Sequence, residues 1–383
     1  MESKQFLEEF QAGRRERTAG YQYFVPNPIN RQWKWQDAQL NTLLEKASRK
    51  IGELNSFARL VPNIDLFIEL HVMKEAVISS RIEGTRTNIE EALLTEEDIR
   101  PERRDDWLEV NNYTKALNAA INGLQQLPLS TRLLCQAHYT ILQGLRGKHK
   151  NPGEFRKSQN WIGGASLEDA AFIPPVHTYV NDLIGDLENF LHNDKIAVPA
   201  LIRIAIAHYQ FETIHPFLDG NGRIGRLLIT LYLVSEKILS QPLLYLSAFF
   251  EKNKGLYYDK LQFVREKNEI LSWLKYFLTG IYEIAAQATN TLSEMIKLKE
   301  NLESEIRLDM GRRTQSALTL LQQLFKHPVV QVKNVEQICR LSTKAANNLV
   351  ATFTKKGYLS EFSGQRRYRT FRFDPYLKLF SEK

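Results

Sequence analysis

The chain has 383 residues, of which 43% are hydrophobic and 25% are charged, a balance typical of globular proteins in water. This length predicts two or three folding units. No apolar run reaches the ~18 residues that a membrane-spanning helix needs, and the first residues lack the apolar core of a signal peptide. We therefore expect no membrane segment and a cytoplasmic location.

The cysteine and histidine content argues against a disulfide scaffold or a zinc fold. Only two cysteines occur, Cys135 and Cys339, and each has a helical, partly apolar context, so we expect reduced thiols. The eight histidines show no metal-ligand spacing, and we expect no zinc site.

The first strong pattern along the chain is a helix predicted from Asp65 to Glu83, with apolar side chains along one side and Gly84 as its stop. Thr87-Asn88-Ile89-Glu90 then has the form of a capping box that opens another helix. Glu83 falls in the last helical turn, where the helix dipole disfavours an anion by up to ~1 kcal/mol. This placement indicates either a cationic partner elsewhere in the chain or an exposed glutamate that tolerates the cost.

Residues 155–175 interrupt the helical pattern. They contain Gln159-Asn160-Trp161-Ile162-Gly163-Gly164 and then Phe172-Ile173-Pro174-Pro175, which predict a β-hairpin or flap. An ordinary surface loop is the alternative.

The most informative segment runs from His215 to Arg226 and reads His-Pro-Phe-Leu-Asp-Gly-Asn-Gly-Arg-Ile-Gly-Arg. Its glycines form a G-x-G-x-x-G pattern, which in a dinucleotide-binding fold follows a β-strand. Here residues 201–211 before it have the apolar spacing of a helix, and so do residues 227–234 after it. The segment is therefore predicted to be the loop of a helix–loop–helix, not part of a dinucleotide fold. The Lys-Ser/Thr pair of a P-loop is also missing.

The residue types in this loop suit a polyphosphate. A glycine-rich turn before a helix presents backbone amides to an anion, and the helix dipole adds to the attraction. Arg223 and Arg226 are three positions apart, so they share a helix face and reach the same anion. Asp219 repels phosphate unless a Mg²⁺ ion lies between them. His215, with an ordinary pKa of ~6.5, suits the uptake of a proton from a hydroxyl.

This segment resembles the signature of Fic-domain proteins, His-x-Phe-x-(Asp/Glu)-Gly-Asn-Gly-Arg-x-x-Arg, at every fixed position. The resemblance extends over about residues 55–290 and includes Pro152-Gly153-Glu154-Phe155-Arg156, Tyr245-Leu246-Ser247 and Tyr257-Tyr258-Asp259. It implies a mainly α fold, a helical bundle with a small β-hairpin flap. It also implies transfer of AMP from ATP to a Ser, Thr or Tyr hydroxyl of a target protein or of the chain itself, with release of pyrophosphate.

Carried over by position, the resemblance assigns His215 as the general base and Asp219 as the Mg²⁺ ligand. It also implies that the backbone of the glycine turn forms an anion hole and that the two arginines bind the phosphates. It also implies that a target protein docks by strand addition on the flap near residues 157–175. The nucleotide-binding residues that it implies are Gly220, Asn221, Gly222, Arg223, Ile224, Gly225, Arg226, Tyr257, Tyr258 and Asn268.

A second motif resembles the inhibitory helix of one Fic subclass. Ser79-Ser80-Arg81-Ile82-Glu83-Gly84 fits the pattern (Ser/Thr)-x-x-x-Glu-(Gly/Asn) and precedes the loop motif, as in proteins with an N-terminal inhibitory helix. The resemblance implies that Ser79 and Glu83 are inhibitory residues and that Glu83 pairs with Arg226, where it occupies the space of the ATP γ-phosphate. The same glutamate could instead orient water for the removal of AMP, and the sequence leaves both uses open.

The C-terminal residues 311–383 carry fourteen Lys or Arg against four Asp or Glu, so the basic excess of the chain lies there. Helices are predicted over 314–326, 334–341 and 342–356, followed by two strands within 358–373 joined at Ser363-Gly364-Gln365. This order resembles a winged helix–turn–helix, which suits duplex DNA, with protein docking or a homodimer as the alternative. The candidate DNA contacts are Lys344, Asn347, Asn348, Arg366, Arg367, Arg369 and Arg372.

We predict four regions: an N-terminal helical region over 1–115 with the inhibitory helix at about 65–84, a Fic catalytic domain over 116–285, a helical linker over 286–310 and a winged helix–turn–helix over 311–383. The leading function is a self-inhibited adenylyltransferase. Two alternatives stay open. One is removal of AMP, or transfer of another nucleotide, by the same site. The other is a nucleotide-sensing, DNA-binding regulator.

Overall fold

The computed structural model describes residues 10–18, 20–61, 64–144, 149–361 and 369–380. The predicted mainly α fold is confirmed. The α-helices are α1 (Ala38–Leu60), α2 (Asp65–Ile82), α3 (Ile89–Ala92), α4 (Arg104–Gly123), α5 (Thr131–Ile141), α6 (Val180–His192), α7 (Ala200–Ile214), α8 (Asn221–Ser235), α9 (Ser247–Lys252), α10 (Lys254–Lys267), α11 (Ile270–Asp309), α12 (Thr314–Lys326), α13 (Val332–Cys339), α14 (Thr343–Lys355) and α15 (Asp374–Leu377). The strands are β1 (Gly13–Arg17), β2 (Gln22–Pro26), β3 (Val329–Gln331), β4 (Ser360–Glu361) and β5 (Thr370–Arg372).

Helices α7 and α8 form the centre of the molecule. Every residue of α7 from Leu201 to Ile214 is buried, as expected for a helix that is enclosed on all sides by other elements. The indole of Trp273, on α11, donates a hydrogen bond to the carbonyl of Ala205 at 2.8 Å. The loop that joins α7 to α8 therefore has both of its ends anchored in the rigid core.

Helix α2 ends where the sequence predicts. Glu83 is its C-cap residue, and Gly84 follows with a φ of 105°, a left-handed conformation that favours glycine. The capping box of α3 lies one residue later than predicted, because Asn88 and Glu91 make the reciprocal bonds.

Helix α11 runs without interruption from Ile270 to Asp309 and packs along α1. Beyond residue 285 it still buries a stripe of apolar side chains: Ala288, Leu292, Met295, Leu302 and Ile306. The stretch predicted as a helical linker over 286–310 is thus the second half of this helix, and it packs as well as connects. The stretch was predicted to be a linker because many of its residues are solvent-facing Glu and Lys.

The predicted N-terminal helical region also contains β structure. Strand β1 pairs antiparallel with β2, with Arg15 opposite Phe24, so the helical prediction is wrong for residues 13–26. Strands of five residues offer too few repeats of the two-residue period to be distinguished from a loop. The boundary predicted between residues 115 and 116 falls inside α4.

The predicted flap is a short antiparallel bridge. The Ile162 amide donates to the Phe172 carbonyl at 2.9 Å, and the Phe172 amide donates to the Ile162 carbonyl at 3.1 Å. The N-terminal hairpin lies against this flap, because the amide of Phe24 donates to the carbonyl of Ile173 at 3.0 Å. The two hairpins support each other beside the loop between α7 and α8.

Residues 311–361 and 369–380 form a unit that we call the C-terminal module. It contains helices α12, α13 and α14 and a sheet in the order β3-β5-β4, in which β5 is antiparallel to both neighbours and β3 lies between α12 and α13 along the chain. Ser342 caps α14 as predicted, and Gly357 follows it with a φ of 76°. The turn of the predicted wing, with Arg366 and Arg367, lies outside the described residues, and the winged-helix assignment stays a prediction.

Within the described ranges, none of the helices is both long enough and apolar enough to cross a membrane.

The first turn of α1 yields a stability prediction. Asp37 Oδ1 accepts a hydrogen bond from the Leu40 amide at 2.7 Å, and Oδ2 lies 2.7 Å from Lys275 Nζ. Asp37→Ala should lower the free energy of unfolding by about 1–2 kcal/mol in urea denaturation at pH 7. Asp37→Asn is the matched control, since it keeps the cap acceptor and should lose less.

The same loss should depend on pH. Burial tends to raise the pKa of Asp37, but Lys275 and the cap amide outweigh it and hold that pKa below its ordinary value. The stabilisation is therefore present at neutral pH and disappears as the pH falls through this lowered pKa. An equal loss for both variants, or one that grows in acid, would contradict the assignment.

Candidate active site

The loop between α7 and α8 turns sharply at each end. His215 is the C-cap of α7 with a φ of 51°, and Gly220 is the N-cap of α8 with a φ of 74°. A left-handed conformation costs little for glycine but is strained for histidine, so the surroundings must hold His215 in place.

Two side chains from the segment before the flap hold the loop. Arg156 Nε donates to the His215 carbonyl at 3.0 Å, and Asn160 Nδ2 donates to the same carbonyl at 3.1 Å and to the Phe217 carbonyl at 2.7 Å. Below the loop the Phe217 ring stacks on His138 at a centroid distance of 3.8 Å. These contacts fix the backbone that presents His215.

The His215 imidazole is poised as a neutral base. Burial lowers the pKa of His215 to about 3, and the cations Arg265 and Arg156 act in the same direction, whereas Glu83 opposes them. The ring is therefore uncharged at neutral pH and able to accept a proton.

Asn221 serves the loop itself. Its Oδ1 accepts from the Phe217 amide and its Nδ2 donates to the Phe217 carbonyl, both at 2.8 Å. The side chain is thereby committed to the protein, and what Asn221 offers a ligand is its backbone amide. That amide belongs to the first turn of α8, whose N–H groups have no intrahelical acceptor and carry the positive end of the helix dipole.

Arg223 adds positive charge at this helix end. Its side chain is only 5% exposed, and its Nε and Nη1 are buried without a hydrogen-bond acceptor among the described residues. Its nearest carboxylates are more distant, with Glu109 at 3.6 Å and Asp219 at 3.8 Å. Buried donors that lack acceptors are costly, so this guanidinium is prepared for an anion.

Arg226, one turn further along α8, already has an anion. Its Nη2 lies 2.6 Å from Glu83 Oε1 and donates to the Ser79 carbonyl at 2.9 Å, while its Nε donates to Ser79 Oγ at 2.9 Å. The predicted pair of Glu83 with Arg226 is therefore present, and Ser79 joins it. All three bonds connect the last turns of α2 to α8.

Charge attraction outweighs burial at this pair. Burial tends to lower the pKa of Arg226 and to raise that of Glu83, but the mutual attraction raises the first and lowers the second. Both groups are thus ionised at neutral pH. Gly222 makes the contact sterically possible, since a Cβ at this position would clash with Glu83 Oε1 and crowd Arg226 Nη1.

A cavity of about 550 Å³ opens above these residues. It is large enough for a nucleotide and lies between the flap, the ends of α7 and α8, and α10. Its lining includes Glu83, Ile162, Phe172, Glu212, His215, Gly222, Arg226, Lys254, Tyr257, Tyr258, Gln262 and Arg265.

The two predicted tyrosines line this cavity in different ways. Tyr257 is buried, and its hydroxyl bonds to His208 Nε2 at 3.0 Å, whereas the ring of Tyr258 is 42% exposed and open to stacking. Asn268 is absent from the lining, and its Oδ1 accepts from the Ala12 amide at 2.8 Å. Ile224 is fully buried in the core.

Gly225 and Glu212 meet below the cavity. A Cβ at Gly225 would clash with the Glu212 carboxylate, so only glycine lets this side chain lie against α8. Burial raises the pKa of Glu212 to about 7, and Arg226 opposes the rise.

Sequence reasoning missed Glu212 and Arg265 as cavity residues. Arg265 donates to Thr213 Oγ1 and to the Glu212 carbonyl, both at 3.1 Å, and stacks on the flap ring of Phe172 at 3.8 Å. The position of Glu212, three residues before His215 on the same helix, was the available signal. Arg265 shows no comparable spacing, because α10 reaches the site only through the tertiary fold.

Asp219 has the chemistry of a Mg²⁺ ligand, and it lies in the loop beside the cavity but not among the residues that line it. Its side chain is 49% exposed beside Arg223, with Oδ1 accepting from the Gly220 amide at 2.6 Å. Mg²⁺ commonly takes one or two carboxylates and completes its shell with water and substrate phosphate. Among the described residues no cluster of three or more His, Cys, Asp or Glu assembles, so substrate and water oxygens would complete such a site.

Comparison with known protein families agrees with this geometry. Residues 41–122 match the N-terminal domain of the Fic/DOC family, and residues 128–233 match the Fic/DOC family domain itself. The chain carries both Fic domains. The second contains the whole loop motif, and the first contains Ser79 and Glu83.

Curated relatives of these Fic domains are adenylyltransferases by name. A probable protein adenylyltransferase of Aquifex aeolicus is 27% identical over 196 residues, which cover 50% of this chain and 58% of that protein. The protein adenylyltransferase Fic of Drosophila erecta is 31% identical over 124 residues, which cover 31% of this chain and 22% of that protein. The matched region thus spans less than two thirds of either relative.

Solved Fic structures share the fold. A Fic family protein from Desulfovibrio desulfuricans superposes with a TM-score of 0.57 at 19% identity and covers 90% of this chain and 98% of its own. A Fic-domain signaling protein from Bacteroides thetaiotaomicron gives a TM-score of 0.50 at 18% identity over 67% of this chain and 97% of its own.

The buried setting of His215 predicts its titration. Because its pKa is lowered to about 3, the ring should stay neutral from pH 8 down to pH 5. Nuclear magnetic resonance of ¹⁵N-labelled histidine side chains measures this directly, with the urea-unfolded chain as the control that titrates normally. A midpoint for His215 near ~6.5 would show that the site is more open to water than described.

Proposed function

We propose that this chain is a protein adenylyltransferase that transfers AMP from ATP to a hydroxyl group of a protein and is restrained by its own Glu83. One observation carries the proposal. A neutral base, a helix N-terminus and a buried guanidinium surround a single cavity of about 550 Å³. The names of the curated relatives support the same reaction.

The reaction is a displacement at the α-phosphorus of ATP. The target hydroxyl oxygen attacks in line, the new oxygen–phosphorus bond forms, and the bond to the bridging oxygen of the β-phosphate breaks. Pyrophosphate leaves with the electron pair, and His215 takes the proton of the attacking hydroxyl. A positioned general base typically contributes about 10²–10⁴-fold to the rate.

The phosphate groups are held by fixed dipoles and charges. The first-turn amides of α8 and the Arg223 guanidinium would stabilise the charge that develops on the phosphoryl oxygens, which is the main requirement of such a transition state. Arg223 Nε has no hydrogen-bond acceptor among the described residues, and its Nη1 lies 3.6 Å from Glu109. Mg²⁺, when bound by Asp219, supplies further neutralisation of the phosphates.

Glu83 restrains this site by competing for Arg226. A terminal phosphate and the Glu83 carboxylate both carry the charge that the buried guanidinium requires, and Gly222 admits only one of them into the space above it. With Glu83 in place, ATP binds without its γ-phosphate on Arg226, in a pose that does not align the α-phosphorus for attack.

Three variants and the wild type test the reaction and the restraint. Wild type, Glu83→Gly, His215→Ala and the double variant Glu83→Gly/His215→Ala are incubated with Mg²⁺ and ATP labelled at the α-phosphate, and label on protein is counted. We expect Glu83→Gly to label itself at least tenfold faster than wild type, since the competing carboxylate is gone. The double variant with His215→Ala should show no label but should still bind ATP in calorimetry.

Two results would overturn parts of this proposal. Equal labelling by wild type and Glu83→Gly would show that Glu83 does not restrain the site. Labelling that survives His215→Ala would show that His215 is not the general base. To test the alternative use of Glu83, adenylylated Glu83→Gly is mixed with unlabelled wild type. Loss of label that depends on wild-type Glu83 would favour removal of AMP as the main activity.

The flap is our proposed docking site for the target segment. Its bridge between Ile162 and Phe172 lies at the cavity, and Trp161 beside it is 39% exposed. A target strand that pairs with this edge would bring its hydroxyl to the side of His215.

We further propose that the C-terminal module binds duplex DNA. Lys344 and Asn348 are exposed on α14, and residues 311–383 carry the basic excess of the chain. The affinity should fall steeply between 50 and 200 mM salt, as phosphate contacts release counterions.

Fluorescence anisotropy with a labelled duplex checks this prediction. Lys344→Ala should reduce the slope of log K against log salt by about 1, while Lys46→Ala, which removes an exposed lysine of α1, should leave it unchanged. Absence of binding at low salt would favour a protein-docking role for the module.

A further inference from the structure

The C-terminal module is seated directly on the inhibitory helix. We propose that this module clamps α2 in the position that blocks the active site, and that duplex DNA on the module releases the clamp by competing for Arg372. The inference rests on the proposed function and names the regulation of that site.

The clamp has a polar contact at the start of α2. The hydroxyl of Tyr376, on α15 of the module, donates to the Leu66 carbonyl at 3.0 Å, and both groups are buried. Leu66 lies in the first turn of α2, seventeen positions before Glu83. At ~1.5 Å per residue the helix separates the two contacts by roughly 25 Å.

Aromatic packing widens this contact. Phe380 of the module lies 5.9 Å from the Phe67 ring and 6.1 Å from the His71 ring, and both rings belong to the first half of α2. Within the module, Phe325 and Tyr376 pack at 4.9 Å and Tyr376 and Phe380 at 5.3 Å. The aromatic cluster thus continues from α12 of the module to the inhibitory helix.

An ion pair forms the second polar contact. Arg372 Nη1, on β5, lies 2.7 Å from Glu90 Oε1, on the short helix α3 that follows the inhibitory turn. Beside it a cleft of about 470 Å³ separates residues 93–98 from β3 and the start of α13. The module therefore touches α2 and α3 at separate points and has room to shift between them.

The middle of α2 is held independently. Glu75 is buried, and its Oε1 accepts from Ser247 Oγ at 2.5 Å and from the Tyr113 hydroxyl at 3.1 Å. A rigid helix held at its centre turns about that point, so a displacement at Leu66 moves Glu83 in the opposite direction. The module and the Glu83–Arg226 pair therefore hold opposite ends of the same helix, α2.

The position of Arg372 suggests the means of release. Its strand, β5, follows the turn of the predicted wing, and a wing commonly contacts the DNA backbone. Arg372 holds Glu90 on Nη1 and Asp374 on Nε, so a phosphate that takes the Nη1 position replaces Glu90, while the pair with Asp374 stays within the module. Loss of the Arg372–Glu90 pair frees the module to move toward the cleft.

Hydrogen exchange at residues 79–84 tests the clamp without requiring transfer activity. The double variant Tyr376→Phe/Glu90→Ala removes both polar contacts and keeps the rings. We expect exchange of these amides to rise about tenfold, and self-labelling from ATP to rise with it. In a Glu83→Gly background the double variant should leave the labelling rate unchanged.

A matched control is available within the module. Tyr358 makes its hydrogen bond to Glu305 of α11, so Tyr358→Phe removes a hydroxyl of the same kind without touching α2. It should leave exchange at 79–84 as in wild type. If the double variant behaves like this control, the clamp is wrong.

The DNA step is tested with a short duplex. Its addition to wild type should raise exchange at 79–84 about as much as Glu90→Ala alone does, since both remove only the Arg372–Glu90 pair, and Lys344→Glu should remove that response. A duplex that binds without changing exchange overturns the release, and so does a failure to bind. If Glu83→Gly transfers no AMP while the exchange results hold, the proposed function is wrong and the clamp stands.

Discussion

A buried guanidinium needs an anion, and the architecture of this chain follows from that need at Arg226. The side chain is 2% exposed, in the centre of a bundle where an unpaired charge is far more costly than at the surface. Glu83 meets the need in the present state, and a nucleotide phosphate meets it in the state that we propose for catalysis. In that proposal, Glu83 of α2 and the substrate phosphate are alternative counterions for one residue.

The close packing around Arg226 explains why the loop is so densely constrained. Gly222 leaves room for the Glu83 carboxylate, and Gly225, almost one turn further along the helix, leaves room for Glu212. His215 occupies a strained left-handed position because Arg156 and Asn160 hold its carbonyl. These loop residues are thus constrained by contacts with side chains from other elements.

Much of this site could be predicted because its parts lie close together in sequence. Local rules identify the helix–loop–helix, the glycine stop after Glu83 and the bounds of α12, which match the predicted 314–326. The family motif also predicts the pair of Glu83 with Arg226. These residues are 143 positions apart, so helix periodicity alone could not predict their contact.

What escaped prediction depends on tertiary placement. Arg265 lines the cavity and Asn268 does not, although they are only three positions apart. The last turn of α10 directs Arg265 toward the flap, whereas the C-cap residue Asn268 bonds to Ala12. The N-terminal hairpin was missed for another reason. Its strands are short, and Phe24 gains its packing partner, Phe172, from a flap about 150 residues later.

The uninterrupted helix α11 has a consequence for how this chain tolerates change in length. Its first turns bond to α7 through Trp273, and its last turns bond to the C-terminal module, where Lys356 Nζ lies 2.6 Å from Asp309 Oδ2. A flexible linker absorbs an added residue, whereas a helix turns by ~100° and lengthens by ~1.5 Å for each one. A single insertion anywhere between these contacts would swing the module around the helix axis and away from α2. The spacing between the two halves of the chain is therefore set in whole helical turns.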